Sequence, residues 1–408
     1  MTARRDAFVL AVLLFGVATA AGAQGREGGY GWPAAGLAVA GDLSAVIGPV
    51  DNDAFFNYTD YEQNALRLAR LRLVAEWRPA TRLSFVTEIR AESSDALDAA
   101  AWYVRWEPFG DALRIQAGRV PPVIGAYARR AYGRDQFGFA PPVPYQYLTS
   151  LRPDALPLTI DDVLDMRGRG WRPIYPVGDH TIGPGVPLVS GLRWDTGVQA
   201  SWHQGRIEIA GAITQGAPSV PVVEETNDGV QVSGRIGVAL PFGATVGFSG
   251  ASGRWIERAA LDAMPAGGSR KSTQSLIGVD AEVGRGRWLI RGEWLWNTFE
   301  VPLAGAPYLD TDPFARLGSG GGYVEGRYRP HPRWQLALGA GTLQFDRVAR
   351  FRDGALMTWD APVTRLEGVL SYRVTRHLDV RGGWQYNWRD GGRVKERGYP
   401  NIGLLYWF

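Results

Sequence analysis

The chain ends with Pro400-Asn401-Ile402-Gly403-Leu404-Leu405-Tyr406-Trp407-Phe408. Counted back from the final residue, every second side chain is apolar: Phe408, Tyr406, Leu404 and Ile402. A period of two residues is typical of a β-strand, because successive side chains point to opposite faces. The final stretch therefore predicts a strand that carries large apolar side chains on one face.

The same alternation recurs along the chain, most clearly between Leu192 and Trp202. One face of this stretch carries Leu, Trp, Thr, Val, Ala and Trp, whereas the other carries Arg193, Asp195, Gly197, Gln199 and Ser201. Tryptophan at both ends of an apolar face is the girdle arrangement of a strand that crosses a membrane. Residues 288–298 and 378–388 repeat this arrangement, so several strands are expected to face lipid.

The connections between these stretches alternate in length. Seven short turns with Gly, Pro or charged residues separate eight longer polar connections, which implies sixteen strands. The predicted strands are 35–47, 64–77, 82–92, 99–107, 112–120, 191–203, 206–214, 229–240, 243–253, 274–284, 287–298, 320–329, 333–345, 361–374, 377–388 and 398–408. A missed strand, or a strand pair within residues 121–190, would change the number to fourteen or eighteen.

Inside lipid, only helices and closed barrels satisfy every backbone N–H and C=O group. After residue 24 the sequence has no apolar run of the roughly 20 residues that a membrane helix needs. The predicted fold class is therefore all-β: a transmembrane, antiparallel, up-and-down β-barrel of about sixteen strands with a long constricting loop. A barrel of this size is wide enough to hold an aqueous lumen.

The N-terminus has the pattern of a signal peptide. Arg4 and Arg5 precede an apolar run from Ala7 to Ala20, and Ala21-Gly22-Ala23 is a cleavage site of small residues. Residues 1–23 are thus expected to be removed on export, which leaves residues 24–408 as a barrel in the outer membrane, in contact with lipid and lipopolysaccharide. A membrane anchor is the alternative, and the shortness of the run disfavours it.

The residues that alternate with the apolar face are expected to line the lumen. They carry charges of both signs, which is typical of a hydrated wall, because unpaired charges in a dry core are costly. The alternative is that most of them form ion pairs across strands and stiffen the wall, while a minority set ion selectivity. The predicted pore-lining residues are Arg70, Arg72, Arg90, Arg105, Arg114, Arg193, Arg235, Arg291, Arg327, Arg365, Arg381, Glu88, Asp195, Glu293, Glu325 and Glu367.

The connection at residues 121–190 is far longer than the others, and long connections without regular structure are usually functional. If it folds inward, its arginines and aspartates would face each other and create a transverse field at a constriction. The candidate constriction residues are Arg129, Arg130, Arg134, Asp161, Asp162 and Asp165. The alternative is a loop that packs outward as a cap or a trimer contact.

The stretch Gly118-Arg119-Val120-Pro121-Pro122-Val123-Ile124-Gly125 resembles the segment of the phosphate-selective porin family in which a strand enters the constricting loop. The resemblance implies a sixteen-strand homotrimeric porin for anions. Family members that select phosphate are rich in lumen lysine, whereas Lys271 and Lys395 are the only lysines here and lie on no predicted lumen face. The terminal strand with Phe408, Tyr406, Leu404 and Ile402 likewise resembles the signal read by the outer-membrane assembly machinery.

Other classes of function have little support in the sequence. The net charge is only +3 and no basic run carries interleaved aromatics, so no nucleic-acid partner is expected. Four histidines, no cysteine and no catalytic or metal-binding motif predict no enzyme activity, no metal and no cofactor. The expected function is passive diffusion of small hydrophilic solutes or ions, with weak anion preference or near-neutral selectivity. A non-conducting structural or adhesion barrel is the main alternative, and an outer-membrane hydrolase is the weaker one.

Overall fold

The computed structural model describes residues 30–32, 36–59, 64–92, 98–127, 135–191, 194–222, 225–265, 270–303 and 314–408. The predicted signal peptide at residues 1–23 lies outside the described residues, so its prediction stands untested.

Sixteen strands form one closed antiparallel barrel, as predicted. They are β1 (Leu37–Ile47), β2 (Ala69–Ala80), β3 (Leu83–Glu92), β4 (Asp98–Trp106), β5 (Leu113–Val120), β6 (Asp195–Gln204), β7 (Ile207–Thr214), β8 (Gln231–Ala239), β9 (Ala244–Arg254), β10 (Thr273–Arg285), β11 (Trp288–Pro302), β12 (Phe314–His331), β13 (Trp334–Phe345), β14 (Val363–Thr375), β15 (Leu378–Arg389) and β16 (Glu396–Trp407).

The barrel closes where β16 pairs with β1, in a register that joins Asp42 to Trp407 and Ile47 to Ile402. At the end of this seam the backbone N–H of Phe408 donates to the carbonyl of Gly41 at 3.0 Å. A short strand, Tyr30–Trp32, pairs with the part of β1 that extends beyond β16. Both edges of the sheet are therefore paired, as a membrane barrel requires.

The strand bounds differ from the prediction mainly at two places. Strand β2 begins at Ala69 rather than at 64, because residues 64–67 form a turn in which the Arg67 N–H donates to the Asn64 carbonyl at 2.9 Å, and Leu66 is buried in a core formed with the loops. Strand β12 begins at Phe314 rather than at 320, because its hairpin with β11 continues as far as the pair Pro302–Phe314. The apolar alternation marks the part of a strand that faces lipid, so it does not reveal such an extension.

The two faces of the strands differ as the alternation predicts. In β11, Trp288, Ile290 and Trp296 are exposed on the outside of the barrel, whereas Arg291 and Glu293 between them are buried inside. The seven short turns lie on one rim, called the turn rim, and the longer connections lie on the other, called the loop rim. The outer surface is thus apolar and the inner surface polar, which is the reverse of a soluble barrel.

The remaining elements lie in the connections. The described residues include three short helices, α1 (Val143–Gln146), α2 (Ile160–Asp165) and α3 (Arg258–Asp262). The short strands are Pro108–Asp111, Ala155–Leu156, Val177–Gly178, Arg347–Ala349 and Leu356–Thr358. In the part of the chain that the structure describes, no helix is long and apolar enough to cross a membrane.

The long connection, described at residues 121–127 and 135–191, is called the inner loop because its part around Phe137 and Val143 packs inside the barrel. Its helix α1 contacts strands β12, β13 and β14. Phe137 and Val143 of the loop belong to the same buried apolar cluster as Leu343 and Val369 of the wall. Within the described residues, the part of the loop around Phe137 and Val143 packs inward against the wall, whereas Asp161, Asp165 and Arg167 contact another connection on the loop rim.

Candidate functional site

The inner loop is attached to the wall by buried carboxylates. Glu293 on β11 accepts hydrogen bonds from the Tyr145 hydroxyl at 2.7 Å and the Tyr323 hydroxyl at 3.2 Å. Glu367 on β14 accepts a hydrogen bond from the backbone N–H of Phe139 at 2.8 Å. A side chain on Gly138 would collide with the Glu367 carboxylate, so glycine permits this close approach.

Arg365 on β14 is the most heavily bonded anchor of the loop. Its guanidinium donates to the Pro141 carbonyl at 2.9 Å and to Gln146 Oε1 at 2.8 Å, both in the inner loop. It also donates to the Phe56 carbonyl at 2.9 Å and to Asn387 Oδ1 on β15 at 2.8 Å. One planar cation thus joins two loops to two strands, as the fork of five N–H donors allows.

Phe137 adds an aromatic anchor. Its ring lies between two guanidinium groups, with Arg291 Cζ 4.0 Å and Arg327 Cζ 3.8 Å from the ring centroid. Arg291 also donates to the Asp135 carbonyl at 2.7 Å and to Glu325 Oε2 at 2.8 Å. The arginines of β11 and β12 therefore bind the loop by cation–π contacts as well as by hydrogen bonds.

The wall formed by β1 to β4 carries a ladder of ion pairs. Arg72 lies 3.1 Å from Glu88 and 3.4 Å from Asp42, and Arg90 lies 2.6 Å from Glu88. The other pairs are Arg70–Glu92 at 2.8 Å, Arg105–Glu76 at 3.2 Å and, next to the turn rim, Arg114–Glu107 at 3.0 Å. The exposure of the two partners differs from pair to pair: 32 % of the Arg72 side chain is exposed but only 3 % of Glu88, whereas Glu92 and Glu76 are more exposed than their arginine partners.

The predicted pore-lining residues therefore divide into groups by what they contact. Six of them bind or pack against the inner loop: Arg291, Arg327, Arg365, Arg381, Glu293 and Glu367. Eight form ion pairs across strands, within one strand or with a turn: Arg70, Arg72, Arg90, Arg105, Arg114, Arg235, Glu88 and Glu325. Asp195 accepts backbone N–H groups of residues 196, 216 and 222, and Arg193 lies outside the described residues.

The structure describes three of the six candidate constriction residues. Asp161 accepts hydrogen bonds from the backbone N–H groups of Phe351 and Arg352, and Asp165 lies 2.8 Å from the Arg352 guanidinium. Asp162 completes a capping box with Thr159 at the start of α2. These three carboxylates thus bind groups of the connections, and their role in a constriction stays a prediction. Arg129, Arg130 and Arg134 lie outside the described residues.

Two further aspartates hold the connections together on the loop rim. Asp360, which is fully buried, accepts backbone N–H groups from Ser150, Gly168 and Ala361, each at 2.7 Å. Asp51 accepts hydrogen bonds from the Tyr399 hydroxyl and from the backbone N–H of residue 57. Burial raises the pKa of the Asp360 and Asp51 carboxyls, because it removes water from the charged form.

A cavity of about 1170 Å³ opens on the loop rim. One side is aromatic: the rings of Phe55 and Trp171 are stacked at 6.1 Å with an interplanar angle of 22°, and Tyr58 lies 5.0 Å from each of them. The cavity is lined by five arginines but only two aspartates. This cavity, called the vestibule, was not predicted from the sequence, because its residues come from three separate connections.

Sequence reasoning also missed the tyrosines that bind Glu293. Tyr323 occupies an inward position of β12, and a hydroxyl at such a position was the only available signal. Among the described residues, no three His, Asp or Glu side chains form a group that could hold a metal ion.

The fold is similar to those of solved outer-membrane proteins. No protein-family model matches the chain, and no curated protein matches it in sequence. OmpT, an outer membrane protein of Vibrio cholerae, superposes with a TM-score of 0.55 at 12 % identity, over 95 % of this chain and 100 % of that one. The anion-selective porin of Comamonas acidovorans gives 0.56 at 10 % identity, over 91 % and 99 %. The outer membrane channel DcaP of Acinetobacter baumannii gives 0.53 at 11 % identity, over 95 % and 100 %.

Proposed function

We propose that the protein is an outer-membrane porin for the passive diffusion of small hydrophilic solutes or ions, narrowed by the inner loop. The observation that carries this proposal is the closed sixteen-strand barrel with an apolar outer face and charged ion pairs on its inner face. Lipid is the environment that suits the outer face, and water suits the inner one. The fold shared with solved porins and channels supports the proposal.

The inner loop determines where solutes would pass. Its contacts with Glu293, Arg365 and Glu367 lie on strands β11 and β14. The ion-pair ladder on β1 to β4 lies on the other part of the wall. We therefore propose that the passage runs between the inner loop and this ladder, and that the loop is the constriction.

The same ladder favours a weak preference for anions. Arg72 and Arg114 keep 32 % and 40 % of their side chains exposed, whereas Asp42 and Glu107 keep 9 % and 12 %. At these positions the positive partner is the more accessible one, whereas in Arg70–Glu92 and Arg105–Glu76 the carboxylate is slightly more accessible. Because each charge still has a partner, the net field is small and the expected selectivity is modest.

Export and assembly complete the proposal. Residues 1–23 would direct export, and the terminal strand with Phe408 would be read by the outer-membrane assembly machinery. Ile402 and Leu404 of that strand are exposed on the outer face, where the assembly machinery could contact them. A homotrimer is consistent with the architecture that the resemblance implies.

Conductance of the refolded protein in planar bilayers tests the proposal. We expect discrete current steps, and in a salt gradient a reversal potential with the sign of a weakly anion-selective pore. Heat-modifiable gel mobility of the same preparation shows that the barrel is folded. Zero conductance from such folded protein would remove the porin function.

A non-conducting structural barrel is the second candidate, and one observation favours it. The inner loop and the wall share a large apolar cluster that includes Phe56, Phe139, Val143 and Trp359, so much of the loop-rim half of the interior is packed. A barrel that is plugged by this cluster would fold normally and would carry no current. The bilayer experiment therefore decides between the two candidates.

A further inference from the structure

The vestibule has the chemistry of a ligand site. Its volume of about 1170 Å³ lies slightly above the usual range for small-molecule pockets. Its position on the loop rim places it where a solute would first meet the proposed pore.

The charge of the vestibule is positive and incompletely paired. Both lining aspartates already have arginine partners from outside the lining: Asp165 lies 2.8 Å from Arg352, and Asp53 lies 3.8 Å from Arg397. In contrast, Arg169 and Arg393 line the cavity, are exposed, and have no carboxylate partner among the described residues. Guanidinium groups in this state are donors suited to a carboxylate or a sulfonate.

The aromatic side of the vestibule supplies a stacking platform. The Arg172 guanidinium lies 4.9 Å from the centroid of the Phe55 ring, and Phe55 stacks on Trp171. Phe55 has a φ of 55°, a left-handed conformation that is unfavourable for an L-residue with a side chain. Such strain clusters at functional sites, and here it holds the ring in the wall of the cavity.

Arg389 and Arg167 are fixed by other contacts and form the base of the site. Arg389 donates to the Tyr147 hydroxyl at 3.2 Å and to the Val394 carbonyl at 3.1 Å. Arg167 donates to Thr358 Oγ1 at 2.8 Å and lies 3.2 Å from Asp390. Arg172 lies over the Phe55 ring, so the arginines of the lining that are left to bind a solute are Arg169 and Arg393.

We propose that the vestibule binds small aromatic anions, with the ring stacked on Phe55 and Trp171 and the carboxylate or sulfonate held by Arg169 and Arg393. This inference rests on the proposed porin function, because it names the solute class that the pore would concentrate at its entrance. Aromatic stacking supplies the preference for a ring, and the unpaired guanidinium groups supply the preference for negative charge.

Calorimetric titration of the refolded protein in detergent with benzoate tests the inference without any current measurement. A blank titration into the detergent alone removes the contribution of micelles. We expect benzoate to bind more tightly than benzamide, which lacks the charge, and than cyclohexanecarboxylate, which lacks the π-face. The double variant Arg169→Gln, Arg393→Gln should weaken benzoate binding about tenfold or more, as expected for lost charge-assisted hydrogen bonds.

Trp171→Leu should remove the preference for benzoate over cyclohexanecarboxylate while the affinity for the latter stays the same. Arg316→Gln makes the same type of substitution at one exposed arginine that does not line the cavity; this control should bind benzoate like the unaltered protein. Equal binding of benzoate and benzamide, or undiminished binding by the double variant, would overturn the inference. Benzoate binding without bilayer conductance would support the binding site and contradict the proposed porin function. Conductance without benzoate binding would support the porin function and contradict the binding site.

Discussion

Replacing Arg365 with alanine should release the inner loop from the barrel wall. The guanidinium makes four hydrogen bonds, and three of its acceptors belong to loops: Phe56, Pro141 and Gln146. The fourth, Asn387, fixes the guanidinium to β15. Removal of this one side chain therefore takes away the cation that both loops share.

The size of the effect follows from the burial of the site. A hydrogen bond to a charged group contributes about 1.5–3 kcal/mol, but the arginine loses hydration on burial, so the four bonds do not add. Removal of one partner from a buried charged site typically costs about 3–5 kcal/mol. At about 1.4 kcal/mol per tenfold, the detached state of the loop should become on the order of a thousand times more populated.

Two measurements report whether the inner loop is detached from the barrel wall. Trypsin should cleave the Arg365→Ala variant within the inner loop, at Arg167 or Arg169, under conditions in which the unaltered barrel resists. In planar bilayers the variant should show a larger mean conductance with added current noise, because a mobile loop no longer holds a constant constriction. Arg365→Met keeps much of the side-chain volume without the hydrogen bonds and should behave in the same way.

Arg316→Ala is the control, since Arg316 is exposed and lies 3.7 Å from its partner Glu300, and such surface pairs contribute about 1 kcal/mol or less. Heat-modifiable mobility must be retained in every variant. If Arg365→Ala resisted trypsin and conducted as the unaltered protein does, the guanidinium would not be the anchor described above.

Three further predictions concern other contacts of the interior. Phe137→Leu should lower the protection of residues 135–140 against hydrogen exchange by about 1–3 kcal/mol, because leucine keeps apolar bulk but loses both cation–π contacts with arginine. Arg72→Gln should move the reversal potential in a salt gradient toward cation selectivity, because it leaves Glu88 and Asp42 with less positive charge beside them. Burial raises the pKa of the Asp360 carboxyl, so the folded protein binds a proton at this carboxyl more tightly than the unfolded chain does. Protonation of Asp360 therefore stabilises the folded state fully below about pH 4. This contribution to the free energy of unfolding is lost as the pH rises through the pKa of Asp360 in the folded state. Asp360→Asn, which cannot ionise, should flatten this pH dependence of loop protection.

Each of these has an outcome that contradicts it. Equal exchange rates in Phe137→Leu would mean that the ring is held by packing alone. A reversal potential that is the same for Arg72→Gln and for Arg316→Gln would place the passage away from the ladder. An unchanged pH profile in Asp360→Asn would show that this carboxyl does not titrate between the folded and unfolded states.

The strands could be predicted from the sequence because lipid imposes a simple rule. A membrane strand must show apolar side chains at every second position, and residues such as Trp288, Ile290 and Trp296 obey this rule. The short turns on one rim then fix the order of the strands and the even strand number. The same rule does not apply to the part of a strand that extends beyond the lipid, so the extension of β12 to Phe314 was not predicted.

The contacts of the inner loop could not be predicted in this way. Asp161 and Arg352 form an ion pair although nearly half of the chain separates them in sequence, and no local sequence pattern predicts this contact. The sequence could identify an unusually long connection rich in charge, but it could not tell which charges bind loops and which face water. Alternation likewise places Glu293 inside the barrel without revealing that two tyrosine hydroxyls bind it.

The seam between β1 and β16 has a consequence for the kinetics of folding. Pairs such as Ile47 with Ile402 join opposite ends of the chain, so closure has the highest entropy cost of any pairing in the sheet. Until β1 pairs with β16, the edges of these two strands present unpaired N–H and C=O groups that could pair with a neighbouring molecule. An assembly factor that binds these two edges during membrane insertion would therefore prevent aggregation at the slowest step. Its dissociation would coincide with closure of the barrel.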